Sequence, residues 1–204
     1  IWEINVDFVI KKIMQSTNLN SLFKDIIGPK MYEFSAEKRN FKQLITFYRK
    51  EFLKLNFDIN NINVNESKLY PKSQLIKFKQ SYISSELLYK LLYAKRISFL
   101  LQKFSSKKVK SILEIGGGFG SLARYLSNDL KNIKNYVLID IPETLSLAYV
   151  YLKSISNEKI ILLDKNNINK NLSSYKFILA TPNYLKKFRK FKFDLLVNTN
   201  SLYP

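Results

Sequence analysis

Residues 111–126, SILEIGGGFGSLARYL, decide how the chain is read. Ile112 and Leu113 belong to a short apolar strand. Glycine at 116, 117, 118 and 120 then ends it in a tight bend, and Leu122, Leu126 and Leu130 recur at four-residue steps, as on one face of a helix. Strand, glycine bend, helix is a unit with a physical use. A ligand lying over the bend meets backbone with no Cβ in the way. The unpaired N–H groups at the start of the helix point at it.

The stretch that follows repeats the alternation. NYVLIDIPETLSLAYVYLKSI, residues 135–155, reads as a strand from Tyr136 to Ile139, then a turn, then a helix. Pro142 suits the first helical position, and Glu143 complements the helix dipole in the first turn. The strand ends in Asp140, 24 residues after Gly116, where a carboxylate can accept hydrogen bonds from ribose hydroxyls. KIILLD (159–164) and KFILA (176–180) are two further candidate strands, 183–190 is a short helical piece, and FDLLVN (193–198) is a buried strand. Alternating strands and helices with apolar strand runs predict a parallel sheet with helices on both faces, an α/β fold of Rossmann-like type.

The bend also says which nucleotide it suits. The dinucleotide pattern G-x-G-x-x-G would run Gly116, Gly118 and then Ser121 where the third glycine belongs. The pattern E-x-G-x-G-x-G is complete: Glu114, Gly116, Gly118, Gly120, with Gly117 between them. A carboxylate at position 114 is unfavourable beside a pyrophosphate and favourable beside an ammonium or sulfonium group.

On these residues the chain resembles the class I S-adenosylmethionine-dependent methyltransferases. EIGGGFGSLARYL, VLIDIPETLSLAYVYL and FDLLVNTNSL together resemble, more narrowly, a family described as sugar O-methyltransferases. That family has an acidic-x-Pro-Glu turn after the second strand and an Asn-x-x-Ser segment after the fourth, matched here by Asn198-Thr199-Asn200-Ser201. The Tyr-rich helix 81–96 is similar to the helix preceding that family's domain, so the likeness covers roughly residues 80–204. The resemblance implies S-adenosylmethionine as cofactor, held by Gly116, Gly117, Gly118, Gly120 and Asp140, with Glu114 and Ile141 beside them. It implies a small polar acceptor, a sugar hydroxyl, as the other substrate. Asn198 is read equally as a ligand contact and as a cap on its own turn. Two strands compete to carry the adenine contact, which leaves both Asp164 and Thr181 open. The family's domain continues beyond the Ser motif, so the sheet is expected to be its first half only, with an open edge and an uncovered face.

Upstream, residues 1–107 read as a helical region and 108–204 as the nucleotide-binding part, joined by the polar linker SSKKVK. Ile4, Phe8, Val9 and Ile13 form a stripe in 3–14, and Gly28-Pro29 is a stop. Phe41, Leu44, Ile45, Tyr48, Phe52 and Leu55 predict a helix over 36–57. DINNINVNES (58–67) reads as a loop. A helix over 84–104 is capped by Ser84, carries Glu86 in its first turn, and presents Leu87, Leu88, Leu91, Leu92, Leu100 and Leu101 on a broad apolar face. Tyr82, Tyr89 and Tyr93 near it are expected in core packing rather than in a pocket. The chain begins at Ile1 and stops at Pro204 within a hydrophobic motif, and is read as a fragment at both ends.

Composition narrows the chemistry. Cysteine and histidine are both absent, so there is no disulfide, no thiolate or imidazole metal site, and no histidine base. No apolar run is long enough to span a membrane, and a cytoplasmic location fits. The net charge of +18 would suit an RNA-methylating enzyme with a basic surface. Yet only five of the 34 basic residues are arginine, the side chain best shaped for bidentate phosphate contact. Abundant Lys, Asn and Ile instead indicate compositional drift. A non-enzymatic interaction module on a nucleotide fold is a third reading. An NAD-dependent reductase comes last, because of Ser121 and Glu114.

Overall fold

The computed structural model describes residues 41–62, 66–67 and 75–199. The helix expected at 3–14, the stop at Gly28-Pro29, residues 36–40, and Asn200 and Ser201 of the Asn-x-x-Ser segment lie outside them. The described residues fall into two units divided between Ser105 and Ser106.

In the first unit, helix α1 (Phe41–Leu53) buries Tyr48 and Phe52. It stops earlier than the apolar spacing predicts, because Asn56 takes a left-handed φ of 56°. Asn56 N–H donates to Leu53 O at 3.0 Å and Phe57 N–H to Phe52 O at 3.0 Å, the paired bonds of a Schellman stop. Phe57 closes it by packing on Phe52, with ring centroids 5.3 Å apart. The start of the Asn-rich loop forms a turn: Asp58 accepts from Asn60 N–H at 2.8 Å and caps a 3-10 turn, Ile59–Asn61, that buries Ile59.

Strands β1 (Ile76–Phe78) and β2 (Ser81–Ile83) form an antiparallel hairpin that the sequence pattern did not announce. Helix α2 (Ser85–Phe104) follows. Ser84 Oγ accepts from Leu87 N–H at 2.9 Å and donates to Glu66 Oε2 at 2.7 Å, the expected cap with an added acceptor. Only the first half of the leucine face is buried. Leu87, Leu88, Leu91 and Leu92 pack inward, whereas Leu100 is 51% exposed. Arg96 reaches from α2 to Glu51 of α1 at 2.6 Å. Among the described residues no helix is long and apolar enough to cross a membrane.

The second unit is a five-stranded, all-parallel sheet whose first two strands in the chain are followed by α-helices and whose next two are followed by 3-10 segments, Leu172–Ser174 and Pro182–Phe188. In chain order it contains β3 (Ser111–Ile115), α3 (Ser121–Asp129), β4 (Asn135–Ile139), α4 (Pro142–Ile155), β5 (Ile160–Leu162), β6 (Phe177–Ala180) and β7 (Leu195–Asn198). The strand order is β5-β6-β4-β3-β7. Strands β5 and β6 are buried along their whole length and β4 over all but its first residue, as strands covered on both faces must be. One face packs Val137, Ile139, Ile161, Ile178 and Ala180 against Leu163, Leu172 and Phe188 from the segments after β5 and β6. On the helices, α3 and α4 bury Leu122, Leu126, Leu145, Ala148, Tyr151 and Leu152. The edge strand β7 buries Val197 but leaves Leu196 63% exposed.

Asp194 sets the start of β7 against β3. Its Oδ2 accepts from Lys110 N–H at 2.8 Å and from Ser111 N–H at 2.9 Å. These donors hold its carboxyl below the ordinary value of 3.8. A carboxyl lowered in the folded state stabilises fully above its unfolded value, and that contribution is lost as pH falls through the lowered one. Asp194→Ala is therefore expected to cost about 1 kcal/mol at neutral pH, discounted for solvent exposure. Urea denaturation of both proteins across pH checks this: the gap should begin to close only below about 3.8.

Candidate cofactor site

The parallel register aligns the strand ends. Ile115 of β3 pairs with Ile139 of β4 and with Asn198 of β7, and Ile139 pairs with Ala180 of β6. The next residues along each strand, Gly116, Asp140, Thr181 and Thr199, therefore stand in one row at the carboxyl edge. Strand order reverses at β3, with β4 on one side and β7 on the other. Open α/β sheets bind ligands at such a reversal.

The bend is built glycine by glycine. Gly116 (φ 72°) donates its N–H to Ile139 O at 2.7 Å, which ties the start of the bend to the end of β4. Gly117 sits directly over Glu114: a Cβ there would lie 2.8 Å from the Glu114 carboxyl and 2.8 Å from Leu138 Cδ1. Gly118 has a φ of 58°, and a Cβ there would meet nothing within 4 Å, so this residue faces open space. Gly120, at φ 86°, is the N-cap of α3, and a Cβ on it would press on Leu152 at 3.2 Å. Phe119 is buried edge-on against Tyr151, with ring centroids 5.0 Å apart, and anchors the bend in the core.

Asp140 meets this bend. Its Oδ2 accepts from Gly118 N–H at 2.8 Å, and its Oδ1 accepts from Ile141 N–H at 2.7 Å. A carboxylate has about four acceptor positions, so two bonds leave capacity for ligand hydroxyls. Ile141 is the N-cap of α4 and is 44% exposed, an apolar surface beside the carboxylate. Asn198 is exposed, and its Nδ2 donates to Ile115 O at 3.0 Å, so it caps the end of β3 while standing at the reversal.

Glu114 is placed differently from the others. It has no accessible surface and lies beneath the bend, where its Oε2 accepts from Tyr136 OH at 2.8 Å. Burial, and then the Glu114 charge and this hydrogen bond, push the Tyr136 phenol well above its ordinary value. The sequence reading places Tyr136 at the start of a strand but not beside Glu114. It shares a sheet face with Glu114 because it is paired with Ile112, two residues earlier, and only the register reveals that.

The open choice between Asp164 and Thr181 is narrowed by strand order. Strand β6 lies next to β4 and β5 lies outside it, so Thr181 follows the neighbouring strand and Asp164 the edge strand. Asp164 is also occupied locally, its Oδ1 accepting from Asn166 N–H at 2.8 Å and Asn167 N–H at 2.9 Å. Two further polar atoms near this edge belong to residues that carry no ligand role of their own in the sequence reading. Glu143 Oε2, in the first turn of α4, and Thr199 Oγ1, just past β7, are buried and make no hydrogen bond among the described residues. Among the described residues there is also no acidic cluster able to hold a metal ion.

A comparison with protein-family models gives no match, and a comparison with curated proteins gives none.

The glycines make separable demands. Gly117→Ala forces a methyl onto a buried, hydrogen-bonded carboxyl, a cost of about 1–3 kcal/mol. Gly118→Ala costs about 1–2 kcal/mol for its left-handed backbone. In chemical denaturation, adding Glu114→Ala should relieve part of the Gly117→Ala penalty. It should leave the Gly118→Ala penalty unchanged, so only the first pair couples in a double-mutant cycle.

Proposed function

We propose that the second unit binds S-adenosylmethionine and serves a methyltransferase acting on an oxygen of a small polar acceptor, a sugar hydroxyl. The observation that carries this reading is the 2.8 Å hydrogen bond from Gly118 N–H to Asp140. It brings the glycine bend and the carboxylate closing the next strand to one point at the carboxyl edge. The five-stranded parallel sheet is compatible with a Rossmann-like fold of this kind.

Each group at the edge suits part of that cofactor. The free acceptor positions of Asp140 match the two ribose hydroxyls. Exposed Ile141 offers an apolar face to the adenine, and Thr181, after the strand beside β4, borders the same side. Gly118 leaves room for close approach to backbone. The acidic residue beneath the bend favours a cationic ligand over a pyrophosphate by Coulomb attraction. Glu143 Oε2 and Thr199 Oγ1 are buried near the same edge and make no hydrogen bond among the described residues. When bound, the cofactor supplies a sulfonium methyl carbon open to in-line attack by an oxygen. The chain's contribution to rate is then orientation of the two reactants.

A second reading keeps the cofactor and takes RNA as acceptor, favoured by the net charge of +18. It requires RNA affinity to fall steeply with added salt, whereas a sugar acceptor would bind almost independently of it.

Titration calorimetry of the chain with S-adenosylhomocysteine should show one saturable site. Asp140→Ala should weaken it by about tenfold or more, the loss expected for a hydrogen bond to a charged group. Gly118→Val should abolish it by filling the open space. Tight NADH binding with no response to S-adenosylhomocysteine would overturn the proposal.

A further inference from the structure

The sheet carries a second concavity, at the amino ends of its strands and so on the edge away from the glycine bend. It encloses about 230 Å³. One wall is a polar stripe along and just past α3, where Arg124, Ser127 and Lys131 follow at three- and four-residue steps. The other wall holds Glu158, after α4, and Lys176, just before β6, over an apolar floor that includes Phe177. Three cations face one carboxylate.

The cations are crowded and one of them is fixed. The Arg124 guanidinium donates to Tyr151 OH at 3.0 Å and lies over the Tyr125 ring at 5.1 Å and the Tyr151 ring at 5.9 Å. Lys176 donates to Ile133 O and is half-buried. Its ammonium is held below the ordinary lysine value, first by burial; Glu158 raises it and the Lys131 charge lowers it. Two ammonium groups thus repel across the concavity, and a multivalent anion between them would relieve that repulsion. Ser127 lines the same space, and its Oγ is buried there without a hydrogen bond among the described residues.

We propose that this groove binds a phosphate group, free or carried by a small molecule such as a sugar phosphate. The guanidinium, held by its tyrosine contacts, provides the fixed donors. Lys131, exposed at the rim, closes on the anion with its long side chain, and the serine hydroxyl donates to a phosphate oxygen. The groove shares no residue with the glycine bend, so its test is independent of the methyltransferase reading.

Calorimetry of the chain with inorganic phosphate, and separately with a hexose 6-phosphate, tests the inference. Saturable one-site binding is expected. Lys131→Gln should weaken it about tenfold, and Ser127→Ala should weaken it too, as loss of hydrogen bonds to an anion requires. Lys186→Gln, an exposed lysine in the 3-10 segment after β6, should leave it unchanged. Tighter binding of the hexose phosphate supports a carried phosphate, and equal affinities support free phosphate. Three results would overturn the proposal. One is no saturation by either anion at millimolar concentration. Another is equal weakening by Lys131→Gln and Lys186→Gln, which marks diffuse attraction. The last is binding of a short oligoribonucleotide alone.

Discussion

The organisation of the second unit depends on keeping two strand ends level. Ile115 and Ile139 are paired across β3 and β4, and Gly116 N–H reaches back to Ile139 O at 2.7 Å. A one-residue slip in that register would turn every side chain on β4 to the other face. Tyr136 would leave Glu114, and Asp140 would move away from Gly118. The buried carboxyl and the edge carboxylate are thus positioned by the same ladder, one below the bend and one beside it. The Gly118 to Asp140 hydrogen bond then locks the bend to a strand that the bend does not belong to.

That arrangement separates two roles that one acidic signature combines. Glu114 is sealed from solvent, hydrogen-bonded by Tyr136 and covered by Gly117. A ligand above the bend would be separated from it by the bend itself. Asp140 is at the surface of the crevice and offers acceptor capacity directly. The buried acidic residue and the absent side chain at 117 are two halves of one packing solution, because the space that a Cβ would take is filled by the carboxyl.

Much of this could be read from residues alone, and what could not has physical causes. Strand, bend and helix around 111–126 are local: glycine content, apolar periodicity and the Pro142 start each act within a few residues. The sheet's alternation with helices follows from the same local signals. Long-range pairing leaves no such trace. The inside position of β6 relative to β5, which separates Thr181 from Asp164, is a fact of strand order. The partnership of Tyr136 with Glu114 is a fact of register. The early stop of α1 shows the opposite error. Leu55 continued the apolar spacing, but Asn56 could adopt a left-handed conformation and Phe57 could fold back on Phe52, and those terms outweighed the periodicity. Leucines at 100 and 101 suggested burial that only the first half of α2 delivers, since an apolar stripe reports what could be covered and not what covers it.

The two edges of the sheet differ in sign for a reason built into α/β units. Helices that follow parallel strands start at the carboxyl edge and end at the amino edge. Their positive ends gather around the glycine bend, and their carboxyl ends lie at the edge that holds Lys131 and Lys176. Cations of the groove have partners within the chain even with no ligand present: Lys176 donates to Ile133 O and Arg124 to Tyr151 OH. This allows the groove to stay folded when empty, so an anion held there would be exchangeable rather than structural. At the carboxyl edge the balance is reversed. The helix starts attract negative charge while the carboxylates supply it, and Asp140 already satisfies the Gly118 and Ile141 N–H groups. A ligand at that edge must then add bonds to a carboxylate already in place rather than replace it. Hydroxyl groups can do so, and a second anion cannot.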